Sequence, residues 1–239
     1  MTEPTDTAPT DDEVLARLLR SRHSCRAFLS DPVPDETVRL LFTLAQRTAS
    51  WCNSQAWQVR LTSGEETARF AKELTEHART HPQAPDLEPP AAYEGDYLTR
   101  RRAAGFGLYH AVGVERGDLA GRERQTRENF RFFGAPHVAV VSAPRSLGVY
   151  GAVDCGGYVS TLLTAAQSLG LSTIAQAAIA MYADFVHAYL GIPEDRDIVC
   201  AVSFGYADPT HPANAFRTER APVDTVVAGL PGDAEPSAP

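Results

Sequence analysis

The interval between Asp154 and Asp184 is the feature that most limits the folds open to this chain, because its 29 residues carry no charge. A membrane-spanning helix needs ~20 consecutive apolar residues. Polar side chains interrupt this interval throughout, at Ser160, Thr161, Thr164, Gln167, Ser168, Ser172, Thr173 and Gln176. A helix without a polar, solvent-exposed face lies at the centre of a large domain or in a dimer interface. We therefore predict a helix over 153–169 that is surrounded by protein.

Composition places the chain among soluble globular proteins with a sizeable core. It has 239 residues, of which 44% are hydrophobic and 22% charged, enough to bury a core without disulfides. The formal charge of -8 comes mainly from acidic residues near the two termini. The body is almost neutral, which argues against nucleic-acid partners and a polybasic membrane surface. Lys72 is the only lysine and no Gly-Lys phosphate loop is present, which disfavours Schiff-base enzymes and P-loop proteins.

The cysteines and the termini indicate a cytoplasmic protein. The four cysteines are far apart with no C-x-x-C pair, and the N-terminal residues lack the basic and apolar regions expected of a signal peptide. We expect residues 1–10 and 231–239 to be disordered tails, and 11–230 to form one domain.

Periodic patterns along the body predict helices that alternate with short strands. The first predicted helix ends near Ser21, and the second is announced by the run 31–36 and has Val38, Leu41 and Ala45 on one face. The other predicted helices cover 65–80, 97–114, 118–132, 153–169 and 182–190, and the predicted strands cover 57–62, 138–142, 172–175 and 198–204. Without a repeat or linker, this order favours a single α/β or α+β domain. Prolines fill the irregular segment from 81 to 97, and loops of that length tend to be lids or binding loops.

Three polar runs could carry chemistry. The first places Arg22, His23, Ser24 and Arg26 directly after a helix, where guanidinium groups could fork onto phosphate oxygens. An arginine pair alone is more often a solvated surface, so this run is weak by itself.

The second run, 50–57, sets the amides of Asn53 and Gln55 beside Trp51 and Trp57. Trp57 begins a strand pattern, so we interpret it as a core anchor. The third run, 214–224, carries Arg217 and Arg220 and by itself resembles a surface loop.

Together these runs resemble the FMN-dependent nitroreductase family over nearly the whole body. That family opens with Arg-Arg/His-Ser-x-Arg/Lys, continues with Pro-Ser-x-x-Asn-x-Gln-Pro-Trp, and closes with Gly-Leu-x-Thr, Leu-Gly-Ile-Pro-Glu, Gly-Tyr and Arg-x-Pro-x-Asp. The matching residues are Arg22, His23, Ser24 and Arg26; Ser50, Asn53, Gln55 and Trp57; and 170–173, 190–194, 205–206 and 220–224. Ala49 and Ala56 replace two of the family's prolines. Trp51, Cys52 and Asn53, with 129–133, bring the chain nearest the branch that acts on nitrobenzoates and other nitroaromatics.

The resemblance implies an α+β fold, a three-layer α-β-α sandwich around a central mixed sheet, in an intertwined homodimer with FMN at the interface. It places Arg22, Ser24, Arg26 and Arg220 near the FMN phosphate and ribityl chain, with Arg217 as a second phosphate candidate. Asn53 and Gln55 would approach the isoalloxazine, from the same or the other subunit. The other cofactor-binding candidates in the matched runs are His23, Ser50, Trp51 and Cys52. Backbone donors of Gln176, Ala177 and Ala178 would reach N5 and O4 of the ring.

The implied reaction passes a hydride from NAD(P)H through flavin N5 to a nitroaromatic acceptor, with no catalytic residue or metal supplied by the protein. A permanently charged arginine such as Arg26 would stabilise negative charge on the ring. We assign acceptor choice to a variable lid region, 81–133, through Tyr97, Arg101, Phe106 and Tyr109. Two alternatives stay open. The same flavin could serve a quinone, an enone or a halogenated phenol, or the arginines could hold another anion in a flavin-free binding protein.

Overall fold

The computed structural model describes residues 8–231, so nearly all of the two expected tails lies outside the described residues. The run Thr10-Asp11-Asp12-Glu13 forms the capping box that its sequence pattern predicts at the start of the first helix, so Thr10 belongs to this helix start and not to the N-terminal tail. The helices are α1 (Asp11–Ser21), α2 (Asp35–Ala45), α3 (Glu65–Thr80), α4 (Gly95–Ala111), α5 (Leu119–Arg127), α6 (Gly148–Ser168), α7 (Ala177–Ala180) and α8 (Ala183–Leu190). The strands are β1 (Gln58–Ser63), β2 (His137–Pro144), β3 (Ser172–Gln176) and β4 (Arg196–Gly205).

The described strands form one sheet in the order β1-β2-β4-β3, in which every strand pair is antiparallel. The expectation of a mixed sheet is wrong for these four strands. The parallel component is a single bridge between Ser24 and Thr173 on the free edge of β3, where the Cys25 N–H donates to the Thr173 carbonyl at 2.9 Å. The first polar run therefore lies along the edge of the sheet.

Two apolar clusters cover the two faces of the sheet and give the predicted three layers. One cluster packs α2 and α6 on the sheet, with Leu41, Tyr158 and Phe204 among its buried members. The other packs α3 and α8 on the opposite face, around Phe70 and Val186. Burial of apolar surface on both faces is the main stabilising contribution in such a sandwich.

The uncharged interval forms α6, β3 and α7, but α6 starts at Gly148, earlier than the predicted 153. Its buried face packs on the sheet through Cys155, Tyr158 and Leu162. Its outer face exposes 70% of Val149 and 61% of Val153. Protein therefore covers only the sheet-facing side of α6 within residues 8–231. The expectation that protein surrounds this helix is met on that face alone. No helix among residues 8–231 has both the length and the apolar character needed to cross a membrane.

The helix predicted over 118–132 ends earlier, at Arg127, and is followed by turns that lead to Phe132 and Phe133, which adopt left-handed backbone angles with φ near 54°. Such angles are unfavourable for bulky residues and persist only where packing supports them. Phe132 is fully buried against Phe70, with ring centroids 5.0 Å apart. Tertiary packing thus overrides the helical pattern at this turn.

Candidate functional site

The arginines of the first and third polar runs line one cavity of about 390 Å³. The lining contains Arg22, His23, Ser24, Arg26, Arg217 and Arg220, together with Phe216 and Thr218. The first run reaches this place through its pairing with β3, and the third run through the turn after β4. The structure therefore brings together the six cofactor-binding candidates of the first and third polar runs.

Positive charge in this cavity is not neutralised within the described part of the chain. Among residues 8–231, no carboxylate lies within 4.0 Å of the four guanidinium groups, whereas many surface arginines elsewhere have such a partner. Burial lowers the pKa of Arg22, and the positive charge of Arg220 lowers it further. Burial also lowers the pKa of Arg26. A bound anion would neutralise this clustered positive charge and accept hydrogen bonds from the guanidinium groups.

His23 adds a polar group that also lacks a partner. Its Nδ1 donates to the Ser21 carbonyl at 3.1 Å, which leaves Nε2 buried and without a hydrogen-bond partner among the described residues. Burial lowers the pKa of His23, and the charges of Arg217, Arg22 and Arg26 lower it further. A neutral imidazole with a free Nε2 lone pair can accept a hydrogen bond from a ligand hydroxyl.

Asn214 joins the two arginine runs, a role that the sequence did not reveal. Its Oδ1 accepts from the Arg26 N–H at 2.7 Å, and its Nδ2 donates to the carbonyls of Ala27 and Asp208 at 2.8 and 2.9 Å. The side chain is buried. Loss of such a buried amide would leave several backbone groups unpaired and separate the runs.

The second polar run forms a compact loop attached to α6. The Ser50 hydroxyl accepts from the Gln55 N–H at 2.9 Å. Asp154 accepts from the Trp51 N–H at 3.1 Å and from the Ser54 hydroxyl at 2.9 Å. In the sequence Asp154 stands out only as a boundary of the uncharged interval, and nothing there indicates its role as an anchor.

Backbone strain is concentrated in this loop. Cys52, Asn53 and Gln55 have positive φ angles of 50°, 55° and 47°. Left-handed non-glycine residues cluster at binding and active sites, where they aim side chains. Trp51 is 56% exposed and lies edge-on to Tyr150, with centroids 4.2 Å apart, whereas Trp57 is buried and stacks on Tyr158 as a core residue, as the sequence predicted.

The two polar regions do not share a cavity in the single chain. Asn53 and Gln55 line a groove of about 1160 Å³ between α2 and β1. The arginines line the smaller cavity beside β3, which forms the opposite edge of the sheet. If both regions contact one ligand, they therefore come from two copies of the chain.

The end of β3 supplies backbone groups on the arginine side. The Gln176 side chain is buried, donates to the Asn129 carbonyl at 2.8 Å and accepts from Ser203, so it is engaged in the core. Ala177 and Ala178 begin α7, and the first N–H groups of a helix lack acceptors within it. Ala177 lies four positions after Thr173, a span of about 13 Å along a strand.

The four residues assigned to the acceptor lie on α4 but not on one surface. Tyr97 is 71% exposed, and the Arg101 guanidinium carbon lies 5.3 Å from the centroid of the Tyr93 ring. Phe106 and Tyr109 line a cavity nearer the end of the helix, and neither Tyr97 nor Arg101 takes part in it. The sequence placed all four residues on one helix but did not show that the two pairs lie apart.

A comparison with family models matches residues 19–206 to the nitroreductase family. The chain is 38% identical over 225 residues to nitroreductase NfnB of Mycolicibacterium smegmatis, covering 92% of this chain and 96% of that protein. It is 35% identical over 223 residues to a 4-nitrobenzoate reductase of a Nocardioides species, covering 91% and 90%.

The fold matches that of solved relatives. The crystal structure of the FMN-dependent nitroreductase NfnB from Mycobacterium smegmatis in complex with NADPH superimposes with a TM-score of 0.86 at 36% identity, covering 91% of this chain and 98% of that one. The expected nitroreductase-like fold is confirmed. On the match over residues 19–206 and on these relatives, the chain belongs to the nitroreductase family.

Proposed function

We propose that this protein is an FMN-dependent NAD(P)H nitroreductase that acts on nitroaromatic compounds. The observation that carries the proposal is the cavity in which Arg22, Arg26, Arg217 and Arg220 meet without a described carboxylate partner. Membership of the nitroreductase family supports it, as do relatives named as FMN-dependent, NADPH-bound and 4-nitrobenzoate-reducing proteins.

The residues present fit FMN. Four guanidinium groups suit a terminal phosphate, because each offers planar N–H donors to its oxygens. His23 lines the same cavity, and its buried Nε2, which has no partner among the described residues, could accept from a ribityl hydroxyl that reached it. The first N–H groups of α7 lie about 13 Å further along β3, where they could donate to ring acceptors.

Bound FMN would supply the two-electron chemistry, taking a hydride from NAD(P)H at N5 and delivering electrons to the nitro group. The chain itself has to bind and orient the reactants. Arg26 is half-buried beside β3, where a low dielectric would strengthen the effect of its permanent positive charge on the bound flavin. The Asn53 and Gln55 amides would orient the ring from its other side.

A homodimer completes this site in the proposal. The separation of the two polar regions supports it, and so does an apolar surface that the described chain leaves uncovered. This surface comprises Leu15 and Leu19 of α1, Trp51, and Val149, Tyr150 and Val153 of α6, each between 51% and 70% exposed. Obligate interfaces are apolar at their cores and often bury ~2,000 Å² or more. The cytoplasmic location and the lid at 81–133 stay predictions.

The test of the proposed activity is NADPH or NADH oxidation at 340 nm by the purified protein with added FMN. We expect oxidation to depend on 4-nitrobenzoate and to be absent with benzoate. A parallel panel with a quinone, an enone and a halogenated phenol separates the alternative acceptors. A protein that binds FMN but oxidises neither nucleotide with any acceptor would contradict the proposal.

A further inference from the structure

A second cavity, of about 440 Å³, lies between the end of α4 and the start of α5, distinct from the arginine cavity beside β3. Its lining includes Phe106, Tyr109, His110, Val114, Arg116 and Arg122, and also Glu115. The volume falls in the range of small-molecule sites. Phe106 and Tyr109 are two of the residues predicted from the sequence to select the acceptor. The arginines beside them had no predicted role.

Two guanidinium groups pack against the rings of this cavity. The Arg116 and Arg122 guanidinium carbons lie 5.6 and 5.9 Å from the Phe106 centroid, and that of Arg122 lies 5.5 Å from the Tyr109 centroid. Stacking on an aromatic face occupies the plane of a guanidinium and leaves its N–H edge free. That edge is the part that binds a carboxylate in bidentate fashion.

Neither arginine is neutralised by the described residues. No carboxylate of residues 8–231 lies within 4.0 Å of either guanidinium group, although Glu115 lines the same cavity. Asp118, one turn before Arg122, accepts from the Gly121 N–H and pairs with Arg124 at 3.7 Å. Two like charges therefore lie around one ring, with Asp118 engaged elsewhere and Glu115 on the same lining but more than 4.0 Å from both guanidinium groups.

A buried donor without an acceptor gives a second, independent indication. The Nε of Arg122 is buried and has no hydrogen-bond partner in the described chain. An unsatisfied buried donor costs about 1–3 kcal/mol, and more when it is charged. A ligand oxygen in the cavity would remove this cost, since no acceptor of the described residues reaches the atom.

We propose that this cavity binds a small aromatic carboxylate, with the ring against Phe106 and Tyr109 and the carboxylate held by Arg116 and Arg122. The rings and Val114 supply an apolar wall for a flat body, and the arginines supply charge at its rim. A free inorganic anion would use only the rim, and a neutral arene only the wall. The proposal concerns binding alone and does not depend on the flavin.

The test is titration of full-length protein with 4-fluorobenzoate, followed by ¹⁹F NMR, with and without added FMN. The uncharged 4-fluorobenzamide has a similar shape and serves as the matched ligand. We expect a dissociation constant of about 1 mM or tighter for the acid, and at least tenfold weaker binding of the amide. Arg116→Gln and Arg122→Gln should each weaken binding of the acid about ten- to a hundredfold, the loss of one charge-assisted contact.

Arg127→Gln is the matched control, because Arg127 lies on the same helix but pairs with Glu123 and leaves Asp118 with its own partner. We expect it to bind the acid within twofold of the unchanged protein. Circular dichroism of each variant confirms that the fold is retained. The proposal is overturned if the protein binds no 4-fluorobenzoate, if the amide binds equally well, or if folded Arg116→Gln and Arg122→Gln keep full affinity. The last result would place the acid elsewhere, for example over the flavin.

Discussion

Arg22 and Arg220 line one cavity from opposite ends of the chain, and the pKa of the Arg22 guanidinium is lowered first by burial and then by the positive charge of Arg220. Two like charges held this way oppose each other until an anion enters. The backbone of the first run is held in place by other contacts, namely the pairing of Cys25 with Thr173 and the hydrogen bond from the Arg26 N–H to the Asn214 amide. Changes to the arginines should therefore affect ligand affinity more than stability.

Gly107 controls the approach of α4 to the segment that carries Arg217. A Cβ at Gly107 would lie 2.8 Å from Phe216 Cζ and closer still to Cε2, so Gly107→Ala has to displace the Phe216 ring. We expect the variant to lose ~1–3 kcal/mol of stability through overpacking, and to bind FMN more weakly because the neighbouring Arg217 shifts. Thermal unfolding and FMN titration measure the two effects.

Gly105→Ala is the matched control on the same helix, since no described atom lies within 4 Å of the position that its methyl group would take. Replacing an interior helical glycine by alanine stabilises by roughly 1 kcal/mol. The two substitutions should therefore shift the melting temperature in opposite directions. The same shift in both variants would show that Phe216 yields without cost.

Asp154 is expected to hold the loop 50–55 in its binding geometry. It accepts hydrogen bonds from the Trp51 N–H and the Ser54 hydroxyl, and bonds to a charged acceptor contribute about 1.5–3 kcal/mol each. Asp154→Ala should raise the FMN dissociation constant at least fivefold, because Asn53 and Gln55 lose their strained conformation. Asp184→Ala, which removes the other boundary acid of the uncharged interval, should not. Unchanged affinity in Asp154→Ala would mean that the loop does not touch the flavin.

His187 and Asp86 should make stability depend on pH. His187 is buried, with Nε2 2.8 Å from Asp86 Oδ2 and Nδ1 3.0 Å from the Ile192 carbonyl. Burial opposes its charge, but the bonds to Ile192 and Asp86 and the charges of Asp86 and Glu194 outweigh it and raise the pKa of His187. A raised pKa gives stability that is fully present below the unfolded value of about 6.5 and is lost as pH rises through the folded value.

The comparison of the unchanged protein with Asp86→Asn isolates this effect. Their difference in melting temperature should be largest near pH 6 and should shrink towards pH 9, as the imidazolium loses its proton in both. Asp184→Asn is a suitable control, because its contact with His77 is a longer 3.8 Å at the surface. A difference that stays constant with pH would indicate that Asp86 acts only through the Ile198 N–H and Arg145, which it also binds.

Sequence patterns predicted the elements that local residues determine. The bounds of α3 were predicted as the structure has them, because Gly64, the acidic first turn and the regular apolar spacing all agree. The start of α6 was missed, because Leu147 and Gly148 form a turn that continues directly into the uncharged helix without a polar cap.

The arginine cavity could be predicted because the order of the motifs resembles a known family, not because any one motif is specific. The role of Asn214 could not, since its partners Arg26, Ala27 and Asp208 come from distant parts of the chain. The association of Arg116 and Arg122 with Phe106 likewise depends on how α4 and α5 pack. Neither contact leaves a periodic signal in the sequence.

The most direct test of the central claim is to compare FMN with riboflavin, which lacks the phosphate, by fluorescence titration of the flavin-free protein. If the four arginines bind the phosphate, FMN should bind at least a hundredfold more tightly than riboflavin. Arg220→Ala should weaken FMN about ten- to a hundredfold and leave riboflavin nearly unchanged, whereas Arg127→Ala, which removes an arginine paired with Glu123, should change neither. Equal affinity for the two flavins, or no binding of either, would contradict the account.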